Sequence, residues 1–150
     1  MQIAGINSFF GSYPWWNLVP DCTTDCDTGS NHSVVTAGFG TYNGSSLDIE
    51  QNNYCSTGWL TNGSLAIVYC PGNTDPPSAV TITVNMAAFN GPMRARWFDP
   101  SNGVTGGTYT TISGSPFTNS GTQRFTTPGT NGANSAGDQD WVLVLDQPAH

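Results

Sequence analysis

A chain of 150 residues, 37% of them hydrophobic, is long enough for one domain with a real core and too short for two comfortable ones. Lysine is absent, arginine occurs only at Arg94, Arg96 and Arg124, and the net charge is −7, so phosphate backbones and anionic lipid are repelled and a nucleic-acid partner is argued against. The 18 glycines and 10 prolines, spread among many Ser, Thr and Asn, describe short strands joined by frequent turns, and no apolar run approaches the length that spans a membrane.

Ile3, Ile6, Phe9, Phe10 and Tyr13 fall at helical spacing, which predicts a short amphipathic helix over residues 3–12 that stops before Pro14, against the preference of Gly5 and Gly11. In residues 13–21, YPWWNLVPD, two prolines and five large apolar groups favour an extended segment laid against something apolar. Residues 1–20 are therefore read as an N-terminal apolar segment and 21–150 as the folded domain. Residues 22–32, CTTDCDTGSNH, read as a polar loop, followed by a strand over 33–39 and another short one over 47–49.

The centre of the chain is residues 54–71, YCSTGWLTNGSLAIVYCP. Two runs of strand-forming residues flank Asn62-Gly63, the dipeptide best suited to a type I′ turn, which predicts a two-residue β-hairpin. Counting outward pairs Leu60 with Leu65, Trp59 with Ala66, Gly58 with Ile67 and Cys55 with Cys70. A disulfide then staples the open end, although this count makes the cysteines a hydrogen-bonded pair, the wider kind that cross-strand disulfides use less readily. Gly58 is a candidate bulge that would correct the spacing. Residues 65–69 are apolar at every position, as in a strand that is central or covered on both faces.

After turns at Pro71-Gly72 and Pro76-Pro77, residues 79–86 alternate, with Val80, Ile82 and Val84 inward and Thr81, Thr83 and Asn85 toward water. Residues 93–99 alternate likewise, with Met93, Ala95 and Trp97 inward and Arg94 and Arg96 outward. Weaker strands follow over 103–112 and 123–126, and a strongly apolar, central one over 140–146. The expectation is an all-β, two-sheet antiparallel β-sandwich of about eight or nine short strands, with a short N-terminal helix or extended segment.

Four cysteines fit two disulfides, Cys55–Cys70 and, by elimination, Cys22–Cys26, the latter closing a very small loop; their spacing matches no zinc site. Paired cysteines place the chain in an oxidising compartment, hence secreted or extracellular. Met1-Gln2-Ile3 lacks the basic start of a signal peptide, so such a peptide was removed or the chain is a piece of a longer secreted protein.

Glycoside hydrolysis needs two carboxyl groups facing each other across a bond. Of the candidates Glu50, Asp99, Asp138, Asp140 and Asp146, Asp99 precedes Pro100 and reads as a cap on turn amides, and Asp138 and Asp140 read as turn formers or partners of an arginine. The histidines, His32 and His150, and the lack of a G-x-S-x-G elbow argue against a serine triad. Asp21, Asp25, Asp27 and Asn31 crowd one loop, but their spacing fits no EF-hand, so a solvated acidic loop pinned by Cys22–Cys26 is preferred and neither metal nor cofactor is expected. Trp97 and Trp141 are assigned to the core, and Trp15 and Trp16 to a sheet end or domain interface. Trp59 is the best candidate for an exposed sugar-stacking ring, with Tyr54 and Tyr42 as companions, although core packing is its expected fate. Asn31, Asn43 and Asn62 each open an N-x-S/T sequon.

The stretches YPWWNLVPD, GWLTNGSLAIVYCP, ARWFDPSNG and DWVLVLD, in this order, resemble the C-terminal domain of secreted apiosidase-like glycoside hydrolases, a domain often labelled collagen-binding. The resemblance spans roughly residues 12–146 and implies a β-sandwich that sits behind a catalytic (β/α)₈ barrel. That barrel, which carries the catalytic carboxylates, is not in this sequence, so the implied role is a non-catalytic accessory module. Its partners would be its own catalytic domain, a polysaccharide or the extracellular matrix. The cysteines are additions to the family pattern. The alternative is a self-associating extracellular filament subunit, in which Ile6, Phe9, Phe10, Trp15 and Trp16 form the contact between copies.

Overall fold

The computed structural model describes residues 9–41, 53–71, 73–74, 77–101 and 108–148. Its strands are β1 (Val19–Pro20), β2 (Val35–Ala37), β3 (Ser56–Trp59), β4 (Leu65–Cys70), β5 (Asn73–Thr74), β6 (Pro77–Ser78), β7 (Thr81–Asn85), β8 (Arg94–Asp99), β9 (Thr108–Thr111), β10 (Thr122–Thr126) and β11 (Trp141–Asp146). A six-stranded antiparallel sheet in the order β1-β3-β4-β11-β8-β9 faces a three-stranded one in the order β10-β7-β2, and β5 and β6 pair by themselves. This is the expected sandwich; the strands outnumber the expected eight or nine because three of them are only two residues long.

Period-two patterning builds the inner core. Val80, Ile82, Val84 and Phe125 from the small sheet meet Ala66, Val68, Ala95, Trp97, Leu143 and Leu145 from the large one, all buried. β11 reads apolar throughout because its other face is covered too: Val142 and Val144 join Leu65, Phe98, Phe9 and Tyr13 in a second core on the outer side of the large sheet. Burial on both faces is what keeps β4, β11 and β8 central.

The hairpin has the predicted register, with Gly58 opposite Ile67 and Trp59 opposite Ala66, but a different turn. Only Gly63 adopts a positive φ, at 72°, and the Leu60 carbonyl accepts the Gly63 amide at 2.8 Å while Leu60 N–H donates to Leu65 at 2.9 Å. The connection is thus a four-residue loop, closed further by Asn62 Oδ1, which accepts from Ser64 N–H and Oγ. Two-residue and four-residue loops share this register but invert which pairs are hydrogen-bonded. Cys55 and Cys70 therefore form a narrow pair with Cα atoms 4.2 Å apart, and the Cys55 N–H is left to bond Phe39. Gly58 makes no bulge; it lies beneath Leu18, whose Cβ would be 3.4 Å from a glycine-replacing Cβ.

Gly63 also touches the neighbouring segment: a Cβ there would meet the Asn90 amide at 2.7 Å and the Ala88 carbonyl at 2.9 Å. Gly63→Ala combines left-handed strain with a backbone clash and is expected to cost about 2–3 kcal/mol, read as a lower urea midpoint at unchanged slope.

At the N-terminus, residues 9–11 are helical, while residues 3–8 of the predicted helix and the predicted strand over 47–49 lie outside the described residues. The expected extended course of residues 13–21 is corrected: Trp15–Asn17 forms a 3₁₀ turn before β1 pairs with the edge of β3. Proline at the second position of β1 is tolerated because that strand is an edge. The expected strand over 33–39 shortens to β2, which carries a register shift between Val35 and Ala37.

Candidate functional site

Three arrangements of polar or aromatic side chains stand out. The first lies in the loop that carries Cys22–Cys26, which forms a disulfide as expected. Asp21 is buried, and its carboxylate accepts from the amides of Ser33, Val34 and Val35 at 2.6–2.8 Å. Its Oδ2 is also 3.1 Å from Nδ1 of His32, whose Nε2 faces the Cys26 carbonyl at 2.9 Å and whose ring stacks on Phe39 at 4.2 Å. Asp25 and Asp27 are exposed, as in the expected solvated acidic loop, whereas Asp21 departs from it and anchors the chain entering β2. Both ring nitrogens of His32 are thus engaged within the fold. Among the described residues no three His, Cys, Asp or Glu side chains converge on a metal position.

The second arrangement is the outer face of the six-stranded sheet. Asp146 accepts two hydrogen bonds from Arg94 and one from Arg96, at 2.7–2.9 Å, and Arg96 also donates to Tyr13 Oη and lies over the Tyr109 ring. The arginines point outward as predicted, yet into an ion-pair cluster under the N-terminal segment rather than into open water. Burial, then the hydrogen bond with Tyr13, raises the Tyr109 pKa. This cluster and the ring of Phe9, 4.7 Å from Phe98, fasten residues 9–13 to the sheet. The same segment turns its other side out. Phe10 is 41% exposed, Trp15 51% and Trp16 68%. These rings touch edge to face, and a shallow groove of about 440 Å³ runs from Phe10 past Val19 and Ile67 to Tyr69, 42% exposed.

The third is a hollow of about 530 Å³ beside the start of β11, bordered by Pro71, Pro77, Asn131, Asp138, Gln139 and Asp140. Gln139 is only 8% exposed; its Nε2 donates to the Asn131 carbonyl, and its Oε1 has no hydrogen-bond partner. Asn134 shapes the loop, donating to Asp140 Oδ1 at 2.7 Å while its own Oδ1 accepts the amides of Ala136 and Asp138. Asp99 caps turns as predicted, accepting from Ser101 and from the Ser135 amide. Burial would raise its pKa, but these hydrogen bonds outweigh burial and hold it below the usual range.

Asp140 has the opposite shift: burial first, then the charges of Asp138 and Asp99, raise its pKa. A raised folded-state pKa means that the native state gives up stability as pH climbs through it. Asp140→Asn, which can still accept from Asn134, is therefore expected to unfold at a higher temperature than the parent at neutral pH. The gap should close in acid, where Asp140 is protonated in both folded and unfolded chains; calorimetry across that range checks it.

The residues singled out from the sequence are scattered. Trp59 and Tyr54 are half-buried against the inner core, and Tyr42 and Ile6 lie outside the described residues. Phe9 is withdrawn from the surface, whereas Phe10, Trp15 and Trp16 lie on it. Trp15 and Trp16, expected to cover a sheet end or a domain interface, cover little within this chain. Trp97 and Trp141 are core, as expected. Gln139 and Tyr69 were missed. The alternation Leu65, Ile67, Tyr69 could have placed Tyr69 on the outer face, but nothing local shows how far the N-terminal segment reaches over it.

Residues 43–146 match the family described as "Putative collagen-binding domain of a collagenase". A solved structure named "Glycoside hydrolase" superposes with a TM-score of 0.59 at 16% identity, over 97% of this chain and 24% of the other. The chain thus spans about a quarter of that protein's length, and at this identity the likeness is one of fold. No curated protein sequence matches the chain.

Proposed function

The chain belongs to that collagen-binding-domain family, and from this premise we propose that it is a non-catalytic accessory module of a secreted carbohydrate-active enzyme, docked on the catalytic domain through Phe10, Trp15 and Trp16. The observation that carries this reading is a segment fastened internally by Phe9 and Tyr13 that presents three large rings to solvent. The solved glycoside hydrolase, in which this fold makes up a quarter of the chain, supports a large neighbouring body as the occupant. Two disulfides are consistent with secretion. The non-catalytic reading is supported by carboxylates already committed: Asp21 to amides, Asp99 to turn donors and Asp146 to two arginines.

The test is direct. The purified chain should turn over no aryl glycoside or polysaccharide, and exchanging Trp15 and Trp16 for serine should weaken its association with the cognate catalytic domain without lowering its thermal midpoint. Turnover abolished by Asp138→Asn or Asp140→Asn would sink the non-catalytic reading. A filament subunit would use the same rings between copies, and sedimentation separates the two: a monomer at high concentration supports docking, growing assemblies support the filament.

A further inference from the structure

The two disulfides differ in what surrounds them. Cys55 and Cys70 lie in the inner core, 1% and 0% exposed, out of reach of solvent. Cys22 and Cys26 are half-buried, and Thr23, Thr24 and Asp25 between them are exposed. Thiol–disulfide exchange requires a thiolate to reach a sulfur, so access ranks the two bridges. The outer one is reduced first.

What the outer bridge holds shut is a cover. β2 is an edge of the three-stranded sheet and, among the described residues, pairs with β7 alone. A strand's amides and carbonyls point in the plane of its sheet, so whatever meets them from outside β7 lies along the free edge. There the Asp21 carboxylate accepts the Val34 and Val35 amides. Gly29 rests against the Thr36 carbonyl, so closely that a Cβ would be 2.0 Å from its oxygen. The ends of this cover are fastened without sulfur: the Asp21 amide donates to Thr57, and the His32 ring stacks on Phe39. Its middle has few ties besides the bridge. Asn31 Nδ2 donates to the Thr24 and Asp25 carbonyls at 3.4 and 3.1 Å, and His32 Nε2 faces the Cys26 carbonyl. Asp25, inside the bridge, has a left-handed φ of 50°, which an L side chain adopts only at a cost.

We infer that Cys22–Cys26 is a redox-operated latch on the β2 edge, and that its reduction opens residues 22–31 while both sheets stand. The bridge takes up two electrons and two protons and becomes two thiols; two thiols of an external reductant, or one dithiol, leave joined as a disulfide. Closed is the resting state in an oxidising compartment. The latch does not depend on the accessory role.

The experiment titrates the whole chain with dithiothreitol in the absence of denaturant, alkylates the thiols freed at each step and assigns them by peptide mapping. Cys22 and Cys26 should be alkylated at a reductant concentration about tenfold or more below that needed for Cys55 and Cys70. At that plateau the far-ultraviolet circular dichroism should match the parent's. The Thr28 and Asn31 amides, hydrogen-bonded in the closed loop, should exchange about tenfold or more faster, while those of β4 and β11 keep their protection. A protease specific for aspartate should cut at Asp25 or Asp27 in the reduced chain and spare the oxidised one. The double variant Cys22→Ala, Cys26→Ala should show the same exchange and cleavage with no reductant present. Release of all four thiols together overturns the latch, as does loss of the spectrum along with the first pair. Loop amides as protected in the double variant as in the parent overturn it too, whatever the order of reduction.

Discussion

Asp21→Ala is expected to destabilise the protein by about 3–5 kcal/mol, the usual cost of removing one member of a buried charged network and leaving its partners unpaired. The carboxylate accepts three consecutive amides, from Ser33, Val34 and Val35, and lies against His32 Nδ1, so the buried amides of Val34 and Val35 would lose their acceptor. These amides lead into β2, an edge of the three-stranded sheet, and the Asp21 amide is itself tied to Thr57 of β3 in the other sheet. One residue thus links the two layers, its side chain holding the entry to β2 and its amide bonding β3. Asp21→Asn keeps one carbonyl acceptor and should cost less than half as much. Urea unfolding measures both, and a loss under about 1 kcal/mol for the alanine variant would show the network to be dispensable.

Replacing Cys55 and Cys70 together by alanine should cost about 3 kcal/mol, whereas the same exchange at Cys22 and Cys26 should cost about 2 kcal/mol. The difference follows from loop length: the first bridge spans 15 residues and the second four. Cys55–Cys70 also sits buried at the open end of the central hairpin, where it holds β3 to β4 and lies opposite Trp141 of β11. Thermal unfolding of the two double variants, side by side, tests the ranking. Equal losses would mean that the smaller bridge acts through the Asp21–His32 loop that contains it rather than through chain entropy.

Part of the fold was legible in residue order. Alternation assigned the inward faces of β7 and β8, the unbroken apolar run assigned β11 to the centre, and pair counting about Asn62-Gly63 found both the hairpin register and the cysteine pairing. It chose the wrong turn, because two- and four-residue loops satisfy the same count and differ only in whether Asn62 takes a positive φ. That choice is made by the contact of Gly63 with residues 88–90, which local reading cannot see. The candidate sites were legible only in composition. Trp15 and Trp16 look like covering residues because large rings are usually buried, and only their place on the outer side of a segment already fastened by Phe9 and Tyr13 leaves them open.

What the amino-acid sequence alone determined was chiefly what has a short period: strand faces, hairpin register, the disulfide partners and the aversion to anions. Those properties depend on neighbours within a few residues or on total charge. The tertiary structure decided which polar groups are spent and which are spare. Asp21 and Asp146 resemble solvated surface acids in the sequence but are consumed by amides and arginines brought from far along the chain. Gln139, an ordinary loop residue in the sequence, is buried with one oxygen unanswered. Hydrogen-bond satisfaction is settled only when distant segments meet, and for that reason no local motif shows it.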